Sequence, residues 1–313
     1  MALLAEYALT PDVFDLTAYT SEDVGDLQLQ LLKEVLLSEG LVRDLRDGEW
    51  CCLLRGDSRP WHRRGKELLK KLVLQKRLVP FAAVVAGVPE SDEEWCREAL
   101  ASHELRSLSG IIVTDRIAHH FETEDLVARI SRLSSTPWWA GRSPSMRLRR
   151  ALPDYQSALE LILRHANSVV FVDPHLDPTL PRYRDFITLL GLTAGRASPP
   201  FIEIHRACYR GSGPSRQVLE SSEWEEIFRR ELTAVLRDQQ LSVEVFIWDD
   251  FHDRYVISDL IGISAMNGFD TTSAVHNLTT WTRLGRTDRD DIQREFDPAC
   301  NRHGLKARFK IPG

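Results

Sequence analysis

Nowhere does this chain run to the ~20 consecutive apolar residues that a membrane-crossing helix requires, so no spanning segment is expected. Cysteine is scarce: Cys51, Cys52, Cys96, Cys208 and Cys300 make five, an odd number without a C-x2-C pair. That set argues against a disulfide framework and a thiolate zinc site, and a reducing cytoplasm is the expected setting. Basic charge is not in excess either. Forty Lys and Arg face 46 Asp and Glu, a formal net charge of -6, so any contact with nucleic acid must come from local clusters rather than the average. The opening residues, "MALLAEYALTPDVFDL", carry acidic side chains and no basic n-region, unlike a secretory signal.

What is there is a globular composition, 43% hydrophobic and 27% charged, in 313 residues, enough for two domains of ordinary size. "SEDVGDLQLQLLKEVLLSEGLV" (21–42) predicts an amphipathic helix with Ser21 as its cap and Gly40 at its end. "EWCCLL" predicts a strand, "RPWHRRGKELLKKLVLQKR" (59–77) a basic helix, "LVPFAAVV" (78–85) an apolar run, and "SDEEWCREALASH" (91–103) an acidic helix. "GIIVTD" (110–115) predicts a strand and "ETEDLVARISRL" (122–133) a helix, giving an alternating α/β pattern. Periodicity then lapses in "SSTPWWAGRSPSMRLRR", which sets an N-terminal α/β domain at 1–135, a linker at 136–150 and a second domain at 151–313.

In the second domain the helix "DYQSALELILRHA" (154–166) leads to the buried-strand run "SVVFVDPHL" (168–176). The helix "YRDFITLLGLT" (183–193), the strand "PFIEIHRA" (200–207), the helix "SSEWEEIFRRELTAVLRDQ" (221–239) and the strand "SVEVFIW" (242–248) follow. A β-α-β-α-β order implies parallel strands, with functional residues at their carboxyl ends. At one such end stands "DDFHDRYVISDLIG" (249–262), with His252, Arg254 and Asp259 spaced H-x-R-x4-D. In an extended segment His252 and Arg254 share a face and can approach one phosphate, the imidazole as nucleophile and the guanidinium as bidentate partner. Asp259 can orient the ring or anchor the arginine; the same letters also fit a surface turn with an ion pair.

His175 in "VDPHLDP" and His205 in "IEIHRA", with Asp173 and Glu203 to orient them, stand at neighbouring strand ends and are candidates for a second proton-transfer group or for structural histidines. "DPHLD" lacks a third ligand at diagnostic spacing, so neither metal nor cofactor is expected. Arg59, Arg63, Arg64, Lys66, Lys70 and Lys71, continued by Lys76 and Arg77 and headed by Trp61 and His62, form the segment expected to track a nucleic-acid backbone; a solvated helix face is the alternative. Arg142, Arg147, Arg149 and Arg150 with Trp138 and Trp139 either extend that patch or anchor the domains.

Residues 150–297, through "SVVFVDPHLDP", "FIEIHRA", "SVEVFIWDDFHDRYVISD" and "NGFDTT", resemble the phospholipase D-like superfamily, whose signature is H-x-K-x4-D; the N-terminal half resembles no family. The resemblance implies a metal-independent phosphodiesterase, foremost a nuclease, working through a phosphohistidine at His252 with Arg254 in the lysine position and Asp259 in the aspartate position. The family site uses two motif copies and one is present, so activity implies a homodimer pairing His252 across a two-fold axis. The HDR variant also resembles phospholipase D-like modules that bind phosphoinositides or partner proteins without hydrolysis. Stand-alone domains of this kind suggest, by analogy, a multi-protein complex defending bacteria against foreign DNA.

Overall fold

Helix starts follow the capping chemistry. Ser21 accepts from the Val24 amide and Ser91 from the Glu94 amide, opening the helices Glu22–Glu39 and Asp92–Leu105. In the computed structural model, which describes residues 3–196, 198–211 and 213–313, the chain divides into two units, Leu3–Arg142 and Ser143–Gly313. Both are α/β, and among the described residues no helix is long and apolar enough to cross a membrane.

The first unit holds five strands: β1 (Ala5–Leu9), β2 (Gly40–Leu45), β3 (Leu78–Phe81), β4 (Gly110–Val113) and β5 (Val127–Arg129). All neighbours pair in parallel in the order β3-β2-β1-β4-β5. Strands β1, β2 and β4 are buried along their whole length, as expected of a sheet covered on both faces. "EWCCLL" is not a strand. Gly48, at φ 101, turns the chain out of the segment after β2 into the helix Glu49–Arg55, whose buried Trp50, Cys51 and Leu54 recur at helical spacing. Residues 122–133 are not one helix: pairing with β4 draws Val127–Arg129 into the sheet, and 3-10 turns follow over Ile130–Ser135.

The stretch expected as a linker is ordered, because its tryptophans are apolar anchors. Pro137–Ala140 is a helical turn of the first unit with Trp139 buried, and the Arg142 guanidinium lies 3.7 Å over the Trp139 ring and 2.6 Å from Glu39. The boundary thus falls between Arg142 and Ser143.

The second unit contains β6 (Ser145–Arg149), β7 (Ser168–Val172), β8 (Phe201–Ala207), the two-stranded ribbon β9 (Tyr209–Arg210) and β10 (Gln217–Val218), then β11 (Val243–Trp248), β12 (Tyr255–Ser258), β13 (Gly262–Ala265), β14 (Leu278–Arg283) and β15 (Leu305–Ile311). Its main sheet has eight strands, ordered β15-β11-β8-β7-β12-β13-β14-β6. The expected parallel order holds at its centre, where β7, β8 and β11 run together; every other pair is antiparallel. Register assigns the faces. Val172 opposes His205 and Tyr255, and His205 opposes Phe246, so these four share one face; Phe171, Ile204 and Val256 share the other. On that second face Phe171 meets Phe186 of the helix Arg184–Leu190 at 5.0 Å and Phe269 at 5.3 Å, both near edge-on.

Candidate functional site

The H-x-R-x4-D residues do not assemble into one site within the chain. Beyond β11 the backbone leaves the sheet, and His252 is exposed on that segment, its carbonyl accepting from Arg254 Nη1 at 3.2 Å. Asp259 lies beyond the far end of β12, a four-residue strand on the order of 14 Å long. Its carboxylate accepts from the Asn167 amide at 2.9 Å, the Asn167 side chain at 2.8 Å and the Ser168 amide at 3.4 Å, fastening the start of β7. Asp259 therefore neither orients His252 nor anchors Arg254.

Arg254 belongs to a different constellation. It lines a pocket of about 350 Å³ together with His175, Arg182, Tyr183, Asn267 and Asp270. Its Nε lies 3.6 Å from the fully buried Asp173 carboxylate. Asp173 also accepts from the His175 amide at 3.0 Å, the Phe269 amide at 3.2 Å and the Tyr183 hydroxyl at 3.3 Å. One side chain thus fixes the turn after β7, the loop after β13 and the arginine. Burial raises the Asp173 pKa, while the His175 amide, the Arg254 charge and the Phe269 amide pull it back down. The loop comes this close through "MNGFD": Asn267 and Gly268 both take left-handed φ values, 70° and 66°, and a Cβ on Gly268 would stand 2.0 Å from Asp173 Oδ2.

The pocket is cationic. Arg182 has no carboxylate partner among the described residues and packs over the Tyr183 ring at 5.5 Å. Asp270 is ion-paired with Arg150. Burial drives the His175 imidazole down to about 4, and Arg254, Arg206, Arg182 and Arg216 push the same way, so it is neutral at pH 7. Beneath the pocket Arg206 is buried, its guanidinium donating to the carbonyls of Leu176, Ala207 and Tyr209 and lying 3.2 Å over the Trp224 ring; burial pushes its pKa down to about 9. Asp173, His175 and Arg254 carry signals in the sequence. Asn267 and Asp270 fall in "NGFDTT", one of the stretches that carry the family resemblance, whereas Arg182 and Tyr183 carry no signal, since they reach the pocket only through the fold.

His205 and Glu203 are not part of this pocket. Residues on β8 alternate, and register places both with Val172 and Tyr255, whereas Arg254 follows the Val256 face. His205 is 1% exposed, accepts the Trp248 indole N–H at its Nδ1 over 3.0 Å, and meets Glu203 through its Nε2 at 3.1 Å.

The basic segment is largely neutralised. Arg59 pairs with Asp92 at 2.6 Å, Arg64 with Asp26 at 2.8 Å and Lys71 with Glu67 at 3.0 Å. Lys66 is 3.9 Å from Asp57, and Arg77 is buried among backbone carbonyls. Trp61 and His62 are buried, the indole bonded to the Gly56 carbonyl and the imidazole capping the helix Arg63–Leu74. Arg63, Lys66, Lys70 and Lys76 stay exposed, a short stripe in place of a continuous track. In the other cluster Arg149 pairs with Asp154 and Arg150 with Asp270.

No family model matches the chain, and no curated protein is similar to it. Among solved structures it is similar to that of TrmBL2, an archaeal chromatin protein described as showing a novel mode of DNA binding, at 12% identity and a TM-score of 0.28 over 75% of this chain and 68% of that one. A likeness of that size carries no argument about fold or function.

Proposed function

We propose that the second unit binds a phosphate group in the pocket of Arg182, Arg254 and His175, and that nucleic acid is the main source of that phosphate. The observation that carries this reading is the convergence of Arg182, without a carboxylate partner among the described residues, with Arg254 and a neutral imidazole in one pocket at the carboxyl ends of β7 and β8. A planar guanidinium offers paired donors to phosphate oxygens, and Arg254 keeps donors free beyond those facing Asp173 and the His252 carbonyl. The module of this reading recognises phosphate and assembles with partner proteins, and the bacterial defence role belongs to the proposal. Calorimetric titration with inorganic phosphate and with a single-stranded oligonucleotide tests it. Arg254→Gln is expected to weaken both by tenfold or more while His252→Ala changes neither; unchanged binding by Arg254→Gln overturns the reading.

A phosphodiesterase reading is favoured by one feature, the neutral His175 among arginines. An imidazole already free of its proton is ready to attack phosphorus. In that reading His175 attacks phosphorus and forms the phosphohistidine while Arg182 and Arg254 hold the oxygens, His252 of a second copy protonates the departing alkoxide, and water then cleaves the P–N bond to release the phosphate ester and restore His175. It requires EDTA-resistant cleavage of DNA or RNA that vanishes in His175→Ala. A clean preparation that binds oligonucleotide and never cuts it leaves binding alone.

A further inference from the structure

On the opposite face of the same sheet lies a second pocket, of about 240 Å³, that the phosphate reading leaves unused. Val170, Val172, Phe246, Ile257 and Phe296 wall it, with two carboxylates, Glu203 and Asp297. Two neighbours settle the electrostatics. The Trp248 indole donates to His205 Nδ1 at 3.0 Å, so the imidazole proton sits on Nε2 and is donated to Glu203 Oε2 at 3.1 Å. The ring is stacked 4.5 Å from Phe246 at 4° and is 1% exposed, and a neutral ring orients Glu203 without cancelling its charge.

Among the described residues one cation stands in the wall, Arg308, and it is held by Glu244 through Nε–Oε1 at 2.6 Å and Nη2–Oε2 at 3.1 Å. Asp297, also in the wall, has Oδ1 turned to the Ala299 amide at 2.8 Å, and it adds negative charge. Glu203 thus presents a second oxygen, Oε1, beside apolar and aromatic walls, with its side chain 20% exposed. A carboxylate so placed favours a donor cation; the Phe246 ring is stacked on His205 and already carries the Arg308 guanidinium, 5.1 Å from its centroid.

We propose that this pocket binds a primary ammonium carried on an apolar stem, with the ammonium on Glu203 and the stem against Val172, Ile257 and Phe296. The volume equals roughly eight waters at ~30 Å³ each, the size of a small arylalkylamine or of a lysine side chain. Both sources share the chemistry, so the titration has two arms: phenethylammonium for a free amine and N-acetyl-lysine amide for a protein lysine.

Titration of the full chain at pH 7 is expected to give saturable binding of at least one amine, with the neutral isostere 2-phenylethanol tenfold or more weaker. The amine that binds more tightly identifies the source. Glu203→Gln is expected to lose tenfold or more of the amine affinity while phosphate binding is unchanged, because the amide oxygen still accepts from His205 Nε2. The wild-type comparison of amine with alcohol stands even if the variant is poorly folded. No saturable binding of either amine, equal binding of the alcohol, or equal affinity in a folded Glu203→Gln overturns the assignment.

Discussion

Replacing Gly268 by alanine adds one methyl group at the point where the loop after β13 touches Asp173. Two costs follow. The residue sits at φ +66, where an L side chain costs about 1–2 kcal/mol. The new Cβ would also stand 2.0 Å from Asp173 Oδ2, so the carboxylate or the loop must move by more than an ångström. Such a shift breaks the bonds that Oδ2 accepts from the Phe269 amide at 3.2 Å and the Tyr183 hydroxyl at 3.3 Å. Hydrogen bonds to a charged group contribute about 1.5–3 kcal/mol each, so the total destabilisation is about 4–8 kcal/mol. Gly213→Ala is the control: its φ is +56 in the same unit, and nothing lies within 4 Å of an added Cβ, so only the backbone cost applies. Urea unfolding of both variants isolates the contact. If the two differ by less than about 0.5 kcal/mol, the Asp173 anchor is not what demands glycine here.

Three further outcomes are expected. His175 has a folded-state pKa of about 4 against an ordinary 6.5, so as pH falls below 6.5 the unfolded chain takes the proton first and stability is lost down to about 4. A ring resonance titrating at 6 or above, or a pH dependence of unfolding identical in His175→Gln, contradicts the neutral imidazole. Arg254→Gln is expected to lower the salt dependence of oligonucleotide binding by about one unit of log Kd per log salt, and an unchanged slope removes Arg254 from the contact. Asp259→Ala, which frees the Asn167 and Ser168 amides, is expected to cost about 1–3 kcal/mol and to leave phosphate affinity alone; lost affinity in a stable protein returns Asp259 to the site.

Sequence periodicity located the central elements because each obeys a local rule. Ser21 caps its helix, "SVVFV" is continuously apolar because β7 is covered on both faces, and the β-α-β-α-β order forces β7, β8 and β11 parallel. It missed what pairing decides. "VAR" joins the first sheet only by hydrogen bonding to β4, and β12, β13, β14 and β6 form an antiparallel extension whose strands are short and mixed in polarity. Arg254 and Asp173 were legible as site residues since they follow strand ends, but the face each occupies depends on register. A shift of one residue exchanges faces, which is why His205 was grouped with His175 in the sequence and stands away from it in the sheet.

The route of the chain from β11 to β12 has a consequence for how the protein tolerates length changes. In the sheet order these strands are separated by β8 and β7, so residues 249–254 must cross three strand spacings, on the order of 14 Å at ~4.8 Å each. Seven steps from Trp248 to Tyr255 reach about 24 Å when extended, leaving slack of roughly three residues. The segment that bears "DDFHDR" is therefore a short tether across the ends of two strands. Lengthening it at His252 or Asp253, which are exposed, leaves the buried Phe251 on Phe296, whereas removing more than about three residues draws β12 out of register and takes Arg254 with it. The H-x-R spacing, read as chemistry in the sequence, is also a measure of distance across the sheet.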